Sequence, residues 1–186
     1  MLMDLMTREG ENLTGTHWTV YPRPQMKRES YLNLNGQWDF ASVAGAAMLP
    51  VDYDRTILVP FCPESRLSGI GAHFPEGQPL YYRRKFTLSE GFNRGRVLLH
   101  IGAADQVADV FVNGKEAGHH EGGYEAFSFD ITDFLKEGEN ALEVICQDDL
   151  NNQSYPYGKQ VLPEKRGGMW YTPVSGIWQT VWLESV

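Results

Sequence analysis

The sequence predicts an all-β fold, an antiparallel β-sandwich or jelly roll. About nine short apolar or alternating runs are separated by turn residues at fairly regular spacing. Only Thr132 to Leu135 reads as helical, and it amounts to one turn. The 19 glycines and 10 prolines supply the turns that many short strands need and that a helical bundle would not tolerate.

Met1 to about Ser30 shows no sustained periodicity, and Pro22 to Gln25 reads as extended and irregular. Residues 1–21 are expected to form a loosely ordered leader, and 22–186 a single domain. Asn35-Gly36 makes a turn, and the strand after it places Trp38 and Phe40 on one face. Thr56 to Pro60 is a short buried strand closed by proline. Phe61 to Pro79 is a long run of turn residues; loops of that length in compact domains are usually functional or disordered.

Leu80, Tyr82, Arg84, Phe86 and Leu88 then alternate with Tyr81, Arg83, Lys85 and Thr87. Arg84 is the odd member of the apolar face. Its guanidinium cannot neutralise itself and needs a carboxylate or carbonyl, so a buried ion pair tying strand to loop is expected. Arg96 to Gly102 is another strand. Asn113-Gly114 between Val110-Phe111-Val112 and Lys115-Glu116-Ala117 is the strongest short hairpin signal. Glu121 to Thr132 adds a strand, as does Ala141 to Gln147. A second polar loop runs from Asp148 to Gly168. Ile177 to Glu184 closes the chain, with Ile177, Gln179, Val181 and Leu183 on one face and Trp178 and Trp182 on the other.

A net charge of −8 argues against nucleic acid and against an anionic membrane, both of which select basic surfaces. No run approaches the length of a transmembrane helix, and Asp4 and Glu9 interrupt any signal-peptide core, so a cytoplasmic location is expected. Cys62 and Cys146 could pair but make no framework, and Cys146 reads as a buried free thiol. The five histidines lack metal-ligand spacing; His119 and His120, adjacent on a strand, face opposite ways. Gly69-Ile70-Gly71 lacks the third glycine of a dinucleotide loop, and no nucleophile elbow exists. No metal or cofactor is implied.

Paired carboxylates are what glycoside hydrolysis requires. Asp148-Asp149 and Asn151-Asn152 sit where a strand opens into the second long loop, with Tyr155 and Tyr157 beyond. Such residues can hydrogen-bond sugar hydroxyls while a ring stacks on the sugar's apolar face. Asp and Asn equally suit plain turns, so both readings stay open.

Five stretches in order, Leu34–Phe40, Val59–Gly71, Tyr81–Leu88, Gly102–Thr132 and Tyr157–Glu184, resemble the N-terminal sugar-binding domain of glycoside hydrolase family 2, the β-galactosidase and β-glucuronidase family. The resemblance runs from about Pro22 to Glu184. It implies a jelly-roll sandwich of the galactose-binding-like type. It also implies an immunoglobulin-like domain and a (β/α)8 barrel downstream, past Val186, with a homo-oligomeric parent. The family's acid/base glutamate follows an asparagine; no Asn-Glu dipeptide occurs here, so no catalytic residue is expected in this chain. In some members a loop of this domain lends the active site a carboxylate, which by position would be Asp148 or Asp149. Three roles follow: an accessory domain shaping a β-glycoside pocket through Asp148 to Lys165, a free-standing lectin-like module, or a structural interaction domain. Trp38, Arg84, Trp178 and Trp182 are expected to be structural, the two late tryptophans packing under the long loops or against the next domain.

Overall fold

The computed structural model describes residues 6–45, 49, 52–149, 152, 154–156, 158–160 and 168–186. Among them are twelve strands: β1 (Tyr31–Asn33), β2 (Gly36–Ser42), β3 (Arg55–Val59), β4 (Leu80–Thr87), β5 (Val97–Ile101), β6 (Ala104–Asp105), β7 (Val107–Val112), β8 (Lys115–Glu121), β9 (Phe127–Asp130), β10 (Glu139–Gln147), β11 (Gly176–Ile177) and β12 (Val181–Ser185). A six-stranded sheet runs β3-β2-β4-β10-β7-β8, a four-stranded sheet β1-β12-β5-β9, and β11 pairs with β6. Every strand ladder is antiparallel.

Period-two patterning explains the layering. Leu142, Val144 and Cys146 of β10 and Ala108, Val110 and Val112 of β7 point into one cluster with Trp38, Phe40 and Tyr82. Leu99, Ile101, Val181 and Leu183 of the smaller sheet enter the same cluster, so the two sheets share one core and form a sandwich. Trp38 is 1% exposed and donates its indole N–H to the Leu34 carbonyl at 2.8 Å, which satisfies its one polar atom inside that core. The hairpin between β7 and β8 turns on Asn113 and Gly114 at φ 53° and 76°, the paired positive angles of a type I′ turn.

Arg84 differs from its expectation. It makes no ion pair among the described residues; a guanidinium nitrogen donates to the backbone carbonyl of Gln37 on β2. The carboxylate goes to Arg83 on the opposite face, 2.8 Å from Asp39. Strand alternation separates Arg84 from that acid, and the neighbouring strand's carbonyl is what lies within reach.

The closing strand also differs. β11 and β12 are separated by residues 178–180, and Gln179 is exposed rather than inward. Ile177 pairs with Ala104 and Val181 with Ile101, leaving three residues, 178–180, on one side against two, 102–103, on the other. The surplus residue is accommodated as a bulge-like break that resets the alternation. Neither tryptophan is left as an open face. Trp178 donates its indole N–H to the Gly123 carbonyl at 2.8 Å under the 122–126 loop, and Trp182, 7% exposed, stacks on His100 at 4.8 Å.

The N-terminal segment holds a helical turn, Arg8–Glu11, capped by Thr7. Farther on, Tyr21 is buried, and its hydroxyl donates to Glu184 on the outer side of β12. Arg23 and Arg28 reach the same carboxylate at 2.7 and 3.2 Å, and His100 lies 2.9 Å from it. Cys62 and Cys146 are both free thiols. No helix of the described residues is long and apolar enough to cross a membrane.

Candidate functional site

At one end of the sandwich the Phe61–Pro79 loop, the β5–β7 corner, the start of the 148–160 loop and the approach to β11 converge. The loop folds on its own turns: Ser65 caps a 3-10 turn, Arg66–Ser68, and Gly69 ends it in the left-handed region at φ 86°. That places Glu64, 2% exposed at its side chain, where Ser175 donates to it from both its amide (3.2 Å) and its hydroxyl (2.7 Å). The carboxylate therefore stitches the loop to the segment entering β11.

His73 sits between two acids, Nδ1 at 3.1 Å from Glu64 and Nε2 at 3.0 Å from Glu76. The hydrogen bond to Glu64, with Glu76 on the far nitrogen, outweighs burial and lifts its pKa to about 9, so His73 is an imidazolium at neutral pH. Asp148 follows β10, and its backbone carbonyl accepts from Gly77 at 2.6 Å, joining the two long loops. Burial, then the charges of Asp105 and Glu76, push its carboxyl up to about 7. Asp105, at the end of β6, rises to about 6 through burial, opposed by Gln160, whose amide donates at 3.4 Å. Gly123 lies so close to Asp105 that any Cβ there would overlap the carboxylate.

At neutral pH these acids are thus a mixture of carboxyls, which donate and accept, and carboxylates, which only accept. Such a set can hydrogen-bond polyhydroxyl groups in either sense. The cavity among His73, Glu76, Gln78, Asp148 and Ser175 is only about 10 Å³, room for one water and far too small for a sugar ring. Elsewhere Tyr124, Trp170 and Tyr171 are exposed, and Tyr124 meets Trp178 edge-on at 6.3 Å. Among the described residues the cluster presents groups outward, and this cavity does not enclose a saccharide. Among the described residues no group of three or more His, Cys, Asp or Glu side chains is arranged to hold a metal ion.

Of the residues singled out from sequence, Asp148 lies in this cluster and Asp149 is half-buried beside it. Asn152 serves its own turn, accepting from the amide of Ser154 at 3.0 Å. Tyr155 is half-buried; Asn151 and Tyr157 lie outside the described residues. Glu64, His73, Glu76 and Asp105 were not singled out. Three of them sit in the 61–79 loop, whose length was the only signal available, and no spacing rule links them to Asp105 or Asp148.

The pattern of the family described as glycosyl hydrolases family 2, sugar binding domain, matches residues 71–185, more than half of the chain. Over 106 residues the chain is 34% identical to a beta-galactosidase of Thermoanaerobacter pseudethanolicus, covering 56% of this chain and 13% of that protein. A putative beta-glucuronidase of Formosa agariphila is 30% identical over 106 residues, covering 57% of this chain and 12% of that protein. Among solved structures, a beta-glucuronidase of Ruminococcus gnavus aligns with a TM-score of 0.64 at 21% identity, over 88% of this chain and 31% of that one. That likeness speaks for the fold alone. The chain spans about an eighth of the length of these two curated relatives.

Proposed function

The chain belongs to the family 2 glycosyl hydrolase sugar-binding domains, and on that premise we propose that it is the accessory domain of a retaining β-glycosidase of the β-glucuronidase or β-galactosidase type. Acid/base and nucleophilic glutamates would lie on a catalytic barrel elsewhere in the same polypeptide. The observation that carries this is the match over residues 71–185, joined to an acidic cluster whose cavity among the described residues is too small for a sugar ring. Asp148 is the residue we assign to the shared substrate pocket, with Asp149 beside it. The same resemblance extends the proposal to a homo-oligomeric parent. A cytoplasmic location is proposed on the two free thiols, whose burial raises Cys62 to about 12 and Cys146 higher still.

The intact mass of the native gene product tests the core of this. A polypeptide several times heavier than 21.1 kDa that cleaves aryl β-glycosides, and loses much of that activity in Asp148→Asn, is the expected result. A native mass of 21.1 kDa would overturn it. Full activity in both Asp148→Asn and Asp149→Asn would remove these residues from the pocket.

A further inference from the structure

The ladder of β10 ends at Gln147, so Asp148 lies just beyond the hold of the sheet. Its carbonyl instead accepts from the amide of Gly77, at 2.6 Å, in the Phe61–Pro79 loop. Where Asp148 sits therefore depends on how that loop places Gly77.

The amide of Gln78 donates to the Pro75 carbonyl at 3.0 Å, closing a four-residue turn. Gly77 is its third residue at φ 72°, the positive angle that a type II turn demands there. Beyond the turn, the Gln78 side chain donates to the Ser42 hydroxyl at 2.8 Å. Before it, Phe74 packs on Phe40 with ring centres 5.7 Å apart. The turn's second residue, Glu76, is held by His73 Nε2 at 3.0 Å, and His73 Nδ1 reaches Glu64 at 3.1 Å. Glu64 is fixed in turn by the Ser175 amide and hydroxyl at 3.2 and 2.7 Å. A continuous run of contacts thus leads from Ser175 through Glu64, His73 and Glu76 to Gly77 and Asp148.

His73 stands at the middle of this run. As an imidazolium it donates from both ring nitrogens, one to each carboxylate, whereas a neutral ring would donate from only one. His73, Glu76, Asp148 and Ser175 also line the same small cavity. We propose that His73 is a positioning residue: by tying Glu76 to Glu64 it sets the turn that holds Asp148 at the substrate pocket. The pocket role of Asp148 rests on the proposed function; the run of contacts does not.

Side-chain 13C NMR of the whole chain follows the Asp148 carboxyl, which titrates at about 7 under the influence of burial, Asp105, Glu76 and Glu64. His73→Gln removes the cation between Glu64 and Glu76 and leaves their charges to act on Asp148, so its midpoint should rise. The Gly77 and Asp149 amide resonances should move with it. Glu64→Gln keeps an oxygen for the Ser175 hydroxyl, should move the same amides, and serves if the first variant does not fold. In the full-length enzyme, His73→Gln should lower kcat/KM on an aryl β-glycoside about tenfold, the scale of a misplaced binding group. In an Asp148→Asn background the same change should cost nothing further, because a residue acting through Asp148 has nothing left to position. An unmoved Asp148 titration, or losses that add in the double variant, would overturn the proposal and leave His73 a loop-stabilising residue only. If the parent proves not to be a glycosidase, the NMR titration still decides whether His73 governs Asp148, so the two readings fail separately.

Discussion

Asp148 keeps its proton to about pH 7 because burial, then the charges of Asp105 and Glu76, penalise the carboxylate. An unfolded aspartate titrates near 3.9, so between about pH 4 and 7 the native state holds more protons than the unfolded chain. Stability contributed at this position therefore falls as pH rises through that window. Asp148→Asn should leave the urea midpoint unchanged near pH 4 and raise it at pH 8; a lower midpoint at pH 8 would contradict the assignment. Glu184 has the opposite sign. Burial pushes its carboxyl up, but the Tyr21 hydroxyl, His100, Arg23 and Arg28 outweigh it and hold it low. Its stabilisation is present above the unfolded value and lost as pH falls through the lowered one. Glu184→Gln leaves two half-exposed arginines facing a neutral amide and should cost about 1 kcal/mol at pH 7, shrinking in acid. Equilibrium denaturation across pH measures both effects.

At the scale of elements, close approaches that depend on glycine decide where strands and loops can meet. A Cβ on Gly118 of β8 would overlap the Phe129 ring of β9, where the two sheets come together. Gly118→Ala must push that ring aside, at about 1–3 kcal/mol, and thermal unfolding should show it. The 61–79 loop has no ladder of its own and depends on side-chain partners. His73 is one of them, charged through its bond to Glu64 and its contact with Glu76. A raised histidine pKa stabilises fully below its unfolded value near 6.5 and fades as pH passes the folded value of about 9. His73→Gln should speed amide exchange in this loop at pH 7; an unchanged rate would mean the loop is held by Ser175 and Gly77 instead.

For the whole molecule, the all-β class, the hairpin at Asn113-Gly114, the inward Leu80, Tyr82 and Phe86 of β4, and the family resemblance were legible in the sequence alone. Each is a local matter, because strand alternation and turn angles are set by residues within a few positions of one another. Only the tertiary structure decided that Glu64, His73, Glu76, Asp105 and Asp148 share one end of the sandwich, and that Glu184 gathers Tyr21, Arg23, Arg28 and His100. It also decided that Arg84 pairs with a carbonyl, and that one surplus residue before Val181 breaks the closing strand. Those outcomes depend on which strands become neighbours and where long loops land. Burial and charge then act through distances that sequence separation does not encode, over 111 positions between Glu64 and Ser175 and 163 between Tyr21 and Glu184.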